Sequence, residues 1–291
     1  MTLRLLPSFV QSLGLSWGQS LAQSLGQPLV QRRLASPLAI WGKLPSHADF
    51  VQHRATAAQA HDRQDWVAGH WPRAAMPQAE PLWVRRAPSQ GTGRLPAEPL
   101  RRVPSLSAVP VAFVIQSGVL PFSRRHCVQG VTLASSDQIG RPCPLVVYQQ
   151  ISGPWLLRTW GGQGVPSPHG LLFWLARITA RIQAGNISWN ALRQAVDGLG
   201  QLYAPGARHL LGAAPPAPPT SQLQRLLGSY CASEEADVAW ALRGRQSRPF
   251  SHWPAHSLHA QQPGHSFWQQ DLQGAFITTG QHLSTLWGVR T

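Results

Sequence analysis

Apolar residues recur every three or four positions through much of the second half of the chain, which is the spacing of a helix with one buried face. The clearest such segment spans 171–182 and ends before Gly185, and Ser188 is placed to cap the helix that follows. An earlier segment has Trp66 on its apolar side. The predicted helices are 55–71, 171–182, 188–199, 223–227 and 238–242.

Runs rich in β-branched and aromatic residues, bounded by turn residues, predict strands. The first run ends at Gly42 and at the turn of Pro45. A turn-rich stretch separates the two central runs, and the last two runs alternate like a paired hairpin before a terminal helix that ends at Trp287. The predicted strands are 37–41, 109–115, 145–148, 265–269 and 275–279.

The order of these elements predicts an α/β fold, with one domain over 37–291 whose mixed β-sheet is flanked by helices on its faces. Residues 1–36 are nearly free of charge and are expected to form a poorly ordered N-terminal extension, whose apolar stripe gives it at most a weak affinity for a membrane surface. Proline-rich excursions near 86–108 and 213–219 are expected to be loops.

The composition is that of a folded chain with few charged residues and a large net positive charge. Hydrophobic residues make up 43% of the 291 positions and 13 are tryptophan, which requires a packed core, whereas only 12% are charged. The net charge of +14 comes almost wholly from arginine, because Lys43 is the only lysine. The arginines occur as scattered singles and pairs, which favours a solvated basic surface, and a nucleic-acid-binding module remains the alternative.

Cysteine usage and hydropathy indicate a cytoplasmic protein. Cys127, Cys143 and Cys231 have neither the spacing of a disulfide framework nor that of a zinc knuckle, which fits a reducing compartment. No apolar run approaches the roughly 20 residues that cross a bilayer. We therefore expect contact with a membrane only through a partner or weakly through the extension.

No constellation of catalytic residues is visible in the sequence. The glycines of 161–164 lack the Lys and Ser/Thr of a phosphate-binding loop, and no nucleophile elbow or zinc-protease helix is present. His252, His256 and His259 crowd one segment, but prolines interrupt it and prevent one regular helix from aligning them. We expect a non-enzymatic protein with no cofactor, metal or small-molecule substrate, and a hydrolase or metalloenzyme with an unrecognised histidine site remains a second alternative.

Two turn-bearing blocks stand out, one at 41–51 (WGKLPSHADFV) and one at 130–145 (GVTLASSDQIGRPCPL). In the first, the glycine and proline around Lys43 are expected to end a strand in a tight turn and to point the lysine outward. Asp49 is expected to cap a following helix or to pair with an arginine. In the second, the carboxylate of Asp137 is placed to bond the backbone of its own turn, which ends at Gly140.

Both blocks resemble, in order and approximate spacing, motifs of the TagF/ImpM family associated with type VI secretion, over roughly 38–150. The departures from the family pattern include Ala48 before Asp-Phe and Gln138 in place of arginine. The resemblance implies an accessory protein that regulates type VI secretion after translation by binding a forkhead-associated scaffold protein or membrane-core subunits. The residues expected to bind the partner are Lys43, Pro45, Asp49, Phe50, Asp137, Gly140 and Arg141.

Overall fold

The computed structural model of the chain describes residues 33–57, 59, 61–62, 65–66, 109–160, 169–183, 188–206, 209, 220–227, 236–249, 265–280 and 286. Its strands are β1 (Ala39–Lys43), β2 (Phe50–His53), β3 (Val111–Ile115), β4 (Cys127–Leu133), β5 (Leu145–Ile151), β6 (His265–Gln270) and β7 (Phe276–Gly280). Its helices are α1 (Gly153–Trp160), α2 (Leu171–Gln183), α3 (Trp189–Leu202), α4 (Thr220–Leu227) and α5 (Ala236–Ala241).

The strands form one seven-stranded sheet in the order β2-β1-β5-β4-β3-β6-β7. The predicted α/β fold of a sheet with helices is confirmed, but the sheet is antiparallel at each described pairing and is not mixed. Connectivity explains four of the six pairings: the connections from β1 to β2, β3 to β4, β4 to β5 and β6 to β7 are shorter than the crossover of a dozen or more residues that parallel neighbours need.

Alternating side chains of the strands supply two cores. On one face, Ile40, Val114 and Val147 pack with the helices α1 to α4. On the other face, Trp41 and Phe113 belong to a second cluster that includes Trp66. Because both faces are covered, the central strands β3 and β4 are buried along their whole length, and β3 is a continuous apolar run.

Strand β4 lies inside the stretch that the sequence predicted to be rich in turns, so that prediction was wrong. The polar side chains of β4 find partners in α1 and β5: Gln129 accepts a hydrogen bond from the indole of Trp160 at 3.2 Å, and Thr132 donates to the carbonyl of Leu145 at 3.3 Å. A side chain at Gly130 would collide with the backbone of β5. Glycine therefore allows β4 and β5 to approach closely.

The helix predictions hold where the structure describes them. Ser188 accepts a hydrogen bond from the amide of Ala191 at 3.3 Å and caps α3, whose buried side includes Leu192, Val196 and Leu199.

Helix α1 and strand β2 were not predicted, because each is short and its sequence has no distinctive hydrophobic period. The described residues between 57 and 66 are helical. The whole of 67–108 and of 210–219, which includes both predicted proline-rich loops, lies outside the described residues.

The folded domain includes residues that the sequence assigned to the N-terminal extension. Leu34 and Ala35 are buried in the helix-covered core, and Ala35 forms an isolated bridge with Ile151 of β5. The amide of Ser36 donates to the carbonyl of Gln150 at 2.8 Å. The boundary therefore falls before Leu34, and residues 1–32 lie outside the described part of the chain.

Candidate protein-binding site

The centre of the site is an ion pair between Lys43, the last residue of β1, and Asp137, which follows β4. The lysine Nζ lies 3.0 Å from Asp137 Oδ2, with side chains that are 8% and 0% exposed. The hydroxyl of Ser135 also donates to the carbonyl of Lys43 at 2.8 Å, so the strand end is held at two points. Lys43 therefore points inward, and the prediction that it faces solvent was wrong.

The turn after Asp137 is organised by its own carboxylate, as the sequence predicted. Oδ1 accepts hydrogen bonds from the amides of Ile139 at 3.2 Å and Arg141 at 2.8 Å. The backbone closes with a bond from the amide of Asp137 to the carbonyl of Arg141, and Gly140 takes a φ of 87° that favours glycine. The turn is therefore rigid, with Ile139 at its tip.

The side chain of Arg141 links this turn to the first block through hydrogen bonds. Its Nε donates to Asp137 Oδ2 at 2.6 Å and its Nη2 donates to the carbonyl of Ala48 at 2.6 Å. A third link joins the amide of Gln138 to the carbonyl of His47 at 2.8 Å. The two blocks, 94 residues apart at Lys43 and Asp137, thus form one structural unit, which we call the block junction.

The ionised Asp137 carboxylate makes the block junction sensitive to acid. Burial raises the pKa of this carboxyl, but hydrogen bonds from Lys43 and from the backbone and side chain of Arg141 outweigh burial and lower the pKa from 3.8 to about 2. A carboxyl with a lower pKa in the folded state stabilises the fold above its unfolded pKa and loses that contribution as the pH falls towards its folded pKa.

We expect the stability gap between the wild type and Asp137→Asn to narrow as the pH falls from about 4 towards about 2, because the Asp137 carboxyl of the unfolded chain takes up a proton in that range while the folded one, with its pKa of about 2, stays largely ionised. The measurement is the free energy of unfolding from urea titrations at several pH values. A gap of constant size through this range would show that the ionised carboxylate contributes nothing to the stability.

Asp49 and Phe50 form the solvent-facing side of the first block. The amide of Phe50 donates to Asp49 Oδ1 at 2.7 Å, so the carboxylate organises the entry to strand β2. The expectation that Asp49 caps a helix or pairs with an arginine is therefore wrong. The Phe50 ring stacks on Trp41 with centroids 5.3 Å apart, and the Lys43 ammonium lies 5.1 Å from its centre.

Exposed apolar side chains flank the block junction. Among the described residues, the large hydrophobic side chains that remain exposed are Ile139 at 56%, Phe50 at 43% and Leu157 at 36%. Ile139 and Phe50 both belong to the two blocks, whereas Leu157 lies on α1. An apolar residue held at the tip of a rigid turn contributes contact area to a partner at little entropic cost.

The structure brings all the predicted partner-binding residues together. Lys43 and Asp137 lie beneath the surface, while Asp49, Phe50 and Arg141 are exposed, and Gly140 completes the turn. Pro45 lies in the tight turn that the amide of His47 closes by donating to Leu44. The sequence analysis missed Ile139, Trp41 and Ser135. One signal in the sequence was available: the only lysine of the chain, Lys43, lies inside the first block. An arginine at that position would be bulkier.

Helix α3 contacts the first block and the end of strand β2. Asp197 accepts a hydrogen bond from His53 Nε2 at 2.9 Å and lies 3.3 Å from the guanidinium of Arg54, at the end of β2. Arg54 has a φ of 55°, which is rare for a residue with a side chain. The ring centroids of His47 and Trp189 are 6.1 Å apart. We call the contact of Asp197 with His53 and Arg54 the strand clamp.

We expect Asp197→Asn to lower the free energy of unfolding by about 1 kcal/mol, because the strand clamp is partly exposed to solvent and solvent screens its charges. Amide hydrogen exchange should increase more in β2 than in β7, since the clamp holds only the former. Equal changes in the two strands, or none in β2, would contradict this role of Asp197.

Other candidate chemistry finds no support among the described residues. No group of three or more His, Cys, Asp or Glu there is placed to hold a metal ion, and His252, His256, His259 and the glycines of 161–164 lie outside that part. Burial raises the pKa of the Cys127 thiol, and that of Cys143 to about 12, which suppresses thiolate chemistry. No described helix is both long enough and apolar enough to span a membrane.

Comparison with known proteins gives a family match that contains both blocks. Residues 39–163 match the family model described as the TagF N-terminal domain, Type VI secretion system-associated. The chain is also similar to PA0076 from Pseudomonas aeruginosa PAO1 in its crystal structure, with 17% identity, a TM-score of 0.42, and coverage of 86% of this chain and 90% of that chain. No curated protein matches the chain.

Proposed function

Because residues 39–163 match the family model of the TagF N-terminal domain of type VI secretion-associated proteins, we propose that this chain is a non-enzymatic accessory protein. It regulates type VI secretion after translation by binding another component of the apparatus. The observation that carries this proposal is the block junction, in which buried charges serve to hold a surface rather than to expose reactive groups.

The buried ion pair supports a docking role over a catalytic one. Asp137 has both oxygens occupied, by the lysine ammonium, by Arg141 and by two backbone amides. A general base needs a free lone pair within reach of a substrate proton, and a carboxylate with a pKa of about 2 is a weak base at neutral pH. The cluster is therefore suited to fixing the turn that carries Ile139.

The chemistry of the exposed rim supports a protein as the ligand. Ile139 and Phe50 supply apolar area, and Arg141 and Asp49 place one positive and one negative group beside them. Interfaces between proteins combine apolar and aromatic anchors with a charged rim in this way. We expect the partner to be a forkhead-associated scaffold protein or membrane-core subunits, and we expect binding to take place in the cytoplasm.

The test is affinity capture from cells that assemble a type VI apparatus, followed by identification of the captured proteins. We expect the wild type to capture at least one type VI component and Ile139→Asp to lose it, because a charge at the turn tip would be desolvated in the interface. Leu157→Asp is the matched control, since it makes the same change at the exposed apolar residue of α1.

Folding must be measured for each variant before the captures are compared. A folded wild type that recovers no type VI component would contradict the proposed function. Equal capture by the wild type and Ile139→Asp would leave the family assignment intact and remove the block junction as the binding surface.

A further inference from the structure

A second charged surface lies at the far edge of the sheet, in the segment that follows α5. Arg243, Arg245 and Arg248 are all exposed there, with no acidic residue between them. The described ion pairs involve none of the three. We call this segment, residues 242–248, the arginine hook.

The arginine hook is anchored to the fold at both ends. At its start, the amide of Leu242 donates to Val238 and that of Arg245 donates to Leu242, and Gly244 takes a φ of 77°. At its end, Arg248 and Phe276 of β7 exchange two backbone hydrogen bonds of 2.8 and 3.0 Å. All these bonds use backbone atoms, so the three guanidinium groups are left for other contacts.

The acidic residue that follows the arginine hook along the chain is Asp271, in the turn between β6 and β7, and it does not neutralise the hook. Asp271 directs Oδ1 to the amides of Gln273 and Ala275 in its own turn. The whole sequence has 11 acidic residues against 25 basic ones, and the acidic residues that shortly precede the hook in the sequence are Glu234, Glu235 and Asp237. The net charge of +14 nevertheless favours the binding of an acidic molecule.

We propose that the arginine hook binds an acidic segment of a partner protein. Arginine presents a planar fork that matches a carboxylate through two parallel hydrogen bonds. Five residue steps separate Arg243 from Arg248, which limits their Cα separation to about 17 Å, the length of five or six extended residues. A short run of Asp or Glu spans this distance, whereas nucleic-acid binding calls for a longer basic stripe with stacking aromatic residues.

This surface is separate from the block junction. The first block leads into β2 and the arginine hook pairs with β7, and these are opposite edges of a sheet of seven strands. Six strand spacings correspond to about 29 Å. The inference does not depend on the proposed function, and the two surfaces can be tested independently.

The test is a titration of the full chain with a fluorescent oligoglutamate peptide of about ten residues at about 50 and 200 mM salt. We expect binding that weakens with salt, and a loss of about tenfold or more in affinity for a triple variant with Arg243, Arg245 and Arg248 each changed to Gln. The matched control changes the exposed Arg124, Arg125 and Arg225 to Gln, which removes the same three charges elsewhere.

The control triple variant should bind within about twofold of the wild type at either salt concentration. Equal losses in both triple variants, or no loss in the hook variant, would overturn the proposal, because binding would then follow net charge and not this site. A single-stranded oligonucleotide that binds more tightly than the peptide, and loses that affinity in the hook variant, would overturn it in favour of nucleic acid.

Discussion

Asp137→Ala is expected to lower the free energy of unfolding by about 3–5 kcal/mol, because it removes one partner of a buried ion pair and leaves the other charge uncompensated. The Lys43 ammonium is 3.0 Å from the carboxylate in the wild type, and two backbone amides lose their acceptor at the same time. Chemical denaturation measures this loss directly. Asp49→Ala is the control, since its carboxylate is exposed and should cost less than about 1 kcal/mol.

The single lysine offers a second measurement on the same variant. Because Lys43 is the only lysine, an amine-reactive reagent labels one side chain besides the N-terminal amine. We expect slow labelling of Lys43 in the folded wild type and in Asp49→Ala, and faster labelling in Asp137→Ala under native conditions. Fast labelling of the folded wild type would contradict the buried ion pair itself.

Gly42→Ala is expected to lower the free energy of unfolding by about 3–5 kcal/mol, because the new side chain causes both backbone strain and a steric clash. Gly42 has a φ of 137°, and a Cβ there would lie 2.8 Å from the Cα of Leu145 and closer still to the carbonyl oxygen of Pro144. Neither of those backbone atoms can move without separating β1 from β5. Thermal or chemical unfolding measures the cost.

The chain provides a matched control for this prediction. Gly118 has a φ of 86°, but a Cβ at that position would meet nothing within 4 Å. Gly118→Ala therefore isolates the strain of the left-handed conformation, and we expect it to cost about 1 kcal/mol. Similar costs for the two variants would contradict the close approach of Gly42 to β5.

Local signals in the sequence predicted the parts of the fold that depend on local contacts. Ser188 caps α3, and the Asp137 carboxylate bonds its own turn, because each of these interactions spans only a few residues. The two blocks predicted the candidate surface through their resemblance to a family, and the match over 39–163 confirms that resemblance. Their role in binding a partner stays a prediction.

The sequence could not predict features that depend on distant residues. Lys43 was predicted to be a surface residue because the sequence does not show that Asp137 lies beside it. Strand β4 was predicted to be turns because Gln129 and Thr132 find their partners only in α1 and β5. The strand clamp joins Asp197 to residues more than a hundred positions earlier. In each case the polar group is satisfied only by tertiary structure.

The central claim is that the block junction is the surface that meets a type VI component. The most direct test is amide hydrogen exchange of the purified protein with and without the component that it captures. The account predicts protection concentrated in residues 45–50 and 137–142, with little change in α1 or in the arginine hook. Protection confined to other regions, with both blocks exchanging as in the free protein, would contradict it.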